Sequence, residues 1–125
     1  MPVLPLTLAA ALALPVAAAA TDANPLHAER WKTRPVVVVV PQADDPLLRK
    51  LQATLGAPAG REAFRERGMV LYAVVAGRGS RNGRALGAAR TAAMLRALQL
   101  DPRGPASFVL VGKDGGVKMR EGAGV

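Results

Sequence analysis

Pro35-Val36-Val37-Val38-Val39-Val40-Pro41 is the stretch on which the reading of this chain turns. Five consecutive β-branched residues are stiff at χ1 and favour strand over helix. Both faces of such a strand are apolar, which predicts a central position in a sheet covered by helices on either side. The flanking prolines, which lack an N–H to donate, fence its ends.

Working outward, Asp44-Asp45-Pro46 has the form of a helix start, a carboxylate cap followed by proline near the first helical position. Leu47, Leu48, Leu51 and Leu55 follow at spacings of three and four, one apolar stripe, and Gly56 is a suitable stop. A short helical piece is predicted over Ala59 to Arg67, burying Ala63 and Phe64 and ending at Gly68. Met69 to Val75 reads as a second buried strand. Gly77 to Arg84 reads as a polar, glycine-rich loop, and Ala85 to Leu98 as a helix with Leu86, Ala89, Ala93 and Leu98 on one face. After the breaks at Pro102, Gly104 and Pro105, Ala106 to Val111 is a third strand. Lys113-Asp114-Gly115-Gly116 is a hairpin turn and Val117 to Arg120 a fourth strand.

The order β-α-β-α-β-β predicts an α/β fold with a four-stranded mixed sheet, two parallel strands joined by helical crossovers and then an antiparallel hairpin. It is the order of a thioredoxin-like domain lacking its last helix. The domain is placed at 35–120, after an extended lead-in at 21–34 whose Trp31 is expected to plug one end of the core. A flexible tail, 121–125, follows. With no helix after the fourth strand, the face shared with Leu47, Leu51 and Leu55 is expected to expose part of Val36 to Val40 and of the hairpin.

Sixteen of the first 20 residues are apolar and none is charged. A cleavable secretory signal needs an apolar run of about 7–15 residues and small residues at the cut. Leu4 to Leu14 and Ala18-Ala19-Ala20 supply these, although no Lys or Arg precedes the run. Pro5 and Pro15 suit a membrane-spanning helix poorly. The expectation is a signal peptide at 1–20, a periplasmic or secreted protein, and no stable membrane span after cleavage.

The whole chain has 125 residues and a formal charge of +8, from 17 Lys+Arg against 9 Asp+Glu. Thirteen of the 17 are Arg and Ile is absent, so coding bias accounts for the charge as readily as a ligand does. Positive charge favours anionic partners but fixes no specificity. Four aromatic residues, Trp31, Phe64, Tyr72 and Phe108, give few platforms for stacking bases, and no specific nucleic acid is expected. There is no cysteine, which excludes disulfides and thiolate redox or nucleophilic chemistry. His27 is the single histidine, so multi-histidine metal sites are excluded as well.

Trp31 to Pro41, the acidic Asp44-Asp45-Pro46, and the hairpin Val109 to Lys118 together resemble a family of short exported bacterial proteins, the domain-of-unknown-function family numbered 4174. That family is similar to the DUDES-type domains of some animal extracellular proteins. The resemblance covers about Trp31 to Arg120. It implies a thioredoxin-like fold and no established activity, and its members generally continue past the hairpin into a terminal helix.

In such a fold the reactive position is the carboxyl end of the first strand, here Pro41-Gln42-Ala43-Asp44-Asp45. Asp44 and Asp45 have the chemistry of an acid–base pair or a hard-cation site, but adjacent residues entering a helix point apart, and capping is the simpler role. Gly77 to Arg84 begins Gly-x-Gly between a strand and a helix and carries Arg78, Arg81 and Arg84, the setting of a phosphate-binding loop. Asn82 stands where the third dinucleotide glycine belongs, and a solvated connection is the simpler reading. His27 and Glu29 have deaminase-like His-x-Glu spacing without the cysteines that chemistry needs.

No catalytic residue, metal or cofactor is assigned. The leading expectation is a non-enzymatic binding or structural protein. The alternatives are an anion- or polyanion-binding module using Arg78, Arg81, Arg84 and Arg90, and an enzyme of unknown reaction at Asp44/Asp45. If the signal reading is right, expression of the full chain yields a product beginning near Thr21. Amino-terminal sequencing of a membrane-bound product that retains Met1 or Pro2 would overturn it.

Overall fold

The computed structural model describes residues 23–122. The predicted signal peptide and the last three residues of the predicted tail lie outside them. A 3-10 turn at Pro25–Glu29 leads into β1 (Arg34–Val40), α1 (Pro46–Gly56), α2 (Pro58–Glu66) and β2 (Met69–Val75). The hairpin β3 (Arg78–Arg81) and β4 (Arg84–Ala85) follows, then α3 (Ala88–Leu98), β5 (Ser107–Val111) and β6 (Val117–Glu121). The strands form one mixed sheet in the order β4-β3-β2-β1-β5-β6. Only β1 and β2 pair parallel, with Val38 beside Ala73, and the connection between them carries α1 and α2.

The valine strand is central. Val36, Val37, Val38, Val39 and Val40 are all buried, and alternate residues feed two cores. Val37 and Val39 join Tyr72, Val74, Met94, Leu98 and Val109 beneath α3. Val36, Val38 and Val40 join Leu48 and the partly buried Leu47, Leu51 and Phe64 beneath α1 and α2. The expected exposure of β1 therefore does not occur: α1, α2 and the side chains of the neighbouring strands cover it. Large apolar side chains of the hairpin are exposed only on β6, at Val117 and Met119. Asp45 caps α1 as its sequence suggests, Oδ1 accepting the Leu47 N–H at 2.9 Å with Pro46 following.

The sheet has six strands, not four. The stretch read as a loop is a hairpin: β3 pairs antiparallel with β2, and β4 with β3. Asn82 and Gly83 make its turn at φ 48° and 85°, both positive as a type I′ turn requires. Asn82 also extends the ladder, donating its N–H to Leu71 O at 2.7 Å and accepting the Leu71 N–H at 2.9 Å. The hairpin takes Ala85 out of the following helix, which begins at Ala88, and Ala89 is exposed while Thr91 and Met94 are buried.

The lead-in is not extended throughout, and Trp31 is not the plug. At φ 65° its N–H donates to Lys113 O at 2.6 Å, and the indole remains 70% exposed. Pro25 and Leu26 from the 3-10 turn occupy the core side instead.

Gly79 faces α3, and a Cβ there would overlap the Thr91 side chain. The second glycine of the Gly-x-Gly pattern thus serves close approach of strand and helix. Gly79→Ala is expected to cost about 2 kcal/mol by overpacking. Thr91→Ala costs about 1 kcal/mol, because its hydroxyl donates to Gly87 O at 2.8 Å. In urea denaturation the double variant should be less destabilised than the sum of the two. Strict additivity would show that the two residues do not constrain each other.

Candidate functional site

Two of the concave regions of the described residues lie on opposite faces of the sheet. The first is built around Glu29, which closes the 3-10 turn and is only 5% exposed. Its Oε2 accepts from Tyr72 Oη at 2.5 Å and from Arg81 Nε at 2.6 Å. Its Oε1 accepts from Thr33 Oγ1 at 2.9 Å and from Arg81 Nη2 at 3.2 Å. Burial alone would raise the Glu29 carboxyl. The hydrogen bonds from Arg81, Tyr72 and Thr33 outweigh burial, so the group is held below its ordinary value. Burial and the facing carboxylate push the Tyr72 hydroxyl up, and it stays protonated as a donor. The bond to Glu29 raises Arg81 further. Beside this network is a cavity of about 460 Å³ whose walls include His27, Lys32, Arg81 and Arg90.

The register sorts the four arginines singled out in the sequence. Arg81 pairs with Tyr72, so it leaves the sheet on the α3 face, and Arg84 stands directly opposite Arg81 on that same face. Arg78 pairs with Val75 on the other face. Arg90 reaches the Glu29 cavity from α3. The structure therefore gathers Arg81, Arg84 and Arg90 and leaves Arg78 apart.

The second region is a groove of about 880 Å³ between α1 and the β5–β6 hairpin. Leu47, Leu51, Phe108 and Met119 line it, with Asp45, Lys50 and Glu121 among its polar residues. Asp45 spends one oxygen on the helix cap and stands in this groove, whereas Asp44 is exposed and outside the lining. Neither carboxylate belongs to a metal-holding group: among the described residues no three His, Cys, Asp or Glu are so arranged. No helix of the described residues is long and apolar enough to cross a membrane.

The model of the family described as "Domain of unknown function (DUF4174)" matches residues 25–125. The chain belongs to this family. The match begins at the 3-10 turn, so the DUF4174 unit includes the segment that carries Glu29 as well as the sheet. No curated protein and no solved structure matched the chain.

Of this DUF4174 domain's buried polar groups, Glu29 stands out in the sequence only as half of a His-x-Glu pattern. His27 does line the same cavity, but it is exposed and makes no bond to Glu29. By its sequence Tyr72 is strand core, and nothing local marks it as the partner of a residue 43 positions earlier. The sign of the pH effect follows from the lowered carboxyl value. A depressed group contributes stability that is present above its unfolded value of about 4.3 and lost as pH falls through the folded value. Urea midpoints should therefore fall below about pH 4.3 more steeply in the wild type than in Glu29→Gln. Parallel acid limbs would remove Glu29 from the explanation.

Proposed function

We propose that this is an exported, non-catalytic binding domain of thioredoxin-like topology that captures an extended segment of another protein along β6. Export rests on the apolar run and small-residue cut at residues 1–20. The topology reading is supported by the core order β2-β1-β5-β6, with a parallel β1–β2 pair and β5 antiparallel to β1. The β3–β4 hairpin extends that core at its β2 edge. The fully bonded state of Glu29 supports a structural rather than a reactive role for that carboxylate.

The observation that carries the binding reading is the contrast between the two sheet edges. β4 is two residues long and both are exposed, a blunted edge. β6 is five residues long, borders the apolar groove, and exposes Val117 and Met119 at 43% and 46%. A long edge with exposed apolar side chains is a template for strand addition. Met119 and Glu121, opposite Leu110 and Phe108, face the groove, while Arg120, opposite Val109, faces α3. Arg120 donates to Leu98 O and has no carboxylate partner among the described residues.

An added strand that alternates apolar and acidic residues meets both demands, an apolar side chain beside Met119 and a carboxylate beside Arg120. A second copy of the chain suits this edge less well. Two-fold antiparallel pairing centred on Met119 sets Lys118 against Arg120, and pairing centred on Arg120 sets that residue against itself.

The test uses a synthetic peptide of alternating Val and Glu, with a block-ordered peptide of the same composition as control. The alternating peptide should bind and slow amide exchange along β6, and Met119→Glu should weaken it at least ~10-fold. Equal binding of the block-ordered peptide, no effect of Met119→Glu, or dimerisation through β6 without peptide would each overturn the reading.

A further inference from the structure

We infer that the cavity beside Glu29 is a receptor for the phosphoryl group of a small molecule. The argument starts from how Arg81 is held. A guanidinium has five N–H donors in a rigid plane. Glu29 takes two of them, through Nε and Nη2, and leaves the Nη1 side of the plane unengaged by any described residue. The carboxylate that fixes this geometry is buried and accepts four hydrogen bonds. Arg81, by contrast, keeps 43% of its side chain exposed. An arginine aimed in advance by a buried carboxylate loses little freedom when it binds, which makes it a better anion donor than a free surface arginine.

The surroundings add charge without adding acid. Lys32 from the lead-in and Arg90 from α3 stand on walls of the same cavity. Arg84 leaves the sheet directly across from Arg81. None of Lys32, Arg84 and Arg90 forms an ion pair among the described residues. Among the described residues Glu29 is the only carboxylate in the lining, and its charge is already met by Arg81. Like charges directly opposite on a pair of strands repel, and Glu29 offsets only Arg81, so the positive charge of Lys32, Arg84 and Arg90 around it has no described carboxylate partner. An anion seated in the cavity meets Lys32 and Arg90 directly and lowers the repulsion on Arg84 beside it.

Geometry selects among anions. Lys32, Arg81 and Arg90 come from three different segments, the lead-in before β1, β3 and α3. A planar carboxylate is satisfied by one arginine edge, whereas a tetrahedral phosphoryl group presents oxygens in several directions and suits donors from several walls. A volume of about 460 Å³ is in the range of small-molecule sites and exceeds a bare phosphate. This inference is independent of the strand-addition reading, whose edge lies at the other end of the sheet.

The experiment titrates the purified protein, as expression of the full chain yields it, with inorganic pyrophosphate, with glycerol 3-phosphate, and with vesicles containing phosphatidylglycerol. Saturable binding of either soluble phosphate is expected, and the tighter of the two identifies an inorganic or an organic source. Lys32→Gln and Arg90→Gln should each weaken it roughly 10-fold, as loss of a charge-assisted bond does. Both positions are exposed, and unchanged melting temperatures without ligand will show that the fold is intact. Arg78→Gln, on the opposite face, should change affinity less than ~2-fold, since it removes only distant, screened charge. Absence of saturable binding, equal weakening by Arg78→Gln, or binding to vesicles alone would overturn the inference.

Discussion

A strand buried on both faces must satisfy two demands at once, and in this chain both fall on β1. Its backbone needs ladder partners on either side, because an unpaired buried amide or carbonyl costs about 1–3 kcal/mol. Its valines need apolar cover on either face, each contributing roughly 1.5–3 kcal/mol when removed from water. β2 and β5 meet the first demand. The parallel pairing with β2 requires a long crossover, and that crossover is α1 and α2, which supply the cover for Val36, Val38 and Val40. The other face is left for α3 and the 3-10 turn. Layer, topology and helix placement thus follow from one five-valine run.

Glu29 enters through what that arrangement leaves unfilled. The 3-10 turn brings Pro25 and Leu26 to the α3 side, and the residue that ends the turn is carried inward with them. A buried carboxylate is tolerated only when hydrogen bonds replace its water. Thr33 supplies one from four residues on, Tyr72 one from β2, and Arg81 two from β3. The consequence is mechanical as well as electrostatic. The lead-in is pinned to two strands, Lys32 is held at the cavity wall, and the arginine plane is turned to one orientation.

What the sequence makes legible is what local pattern encodes. The valine run, the Asp45-Pro46 cap, the leucine stripe of α1 and the Gly-Gly hairpin turn each declare themselves within ten residues, and each is found where expected. The β3–β4 hairpin is hidden because Arg78-Gly79-Ser80-Arg81 contains no apolar residue, so alternation of polarity has nothing to mark. The signal that was present is Asn82-Gly83, a dipeptide suited to positive φ at both turn positions. Trp31 misleads in the opposite sense. Its size argues for burial, but a positive φ and a backbone bond to Lys113 settle its place, and neither is written in composition. Glu29 lies beyond local reading altogether, since its partners in β2 and β3 stand 43 and 52 residues away.

The two concave regions differ in chemistry because alternation along single strands divides their side chains between the faces. In β3, odd positions 79 and 81 look to α3 and even positions 78 and 80 to the opposite face. A slip of one residue against β2 would carry Arg81 away from Glu29, bring Ser80 beneath α3 in place of Gly79, and leave a buried carboxylate without its counter-charge. Three local features act against that slip: the two hydrogen bonds between Asn82 and Leu71, the missing Cβ at Gly79, and the bidentate Arg81–Glu29 bond. The cationic character of one cavity therefore owes less to the net charge of the chain than to a turn two residues long. With that turn in register, Arg81, Arg84 and Arg90 share a face and Arg78 does not.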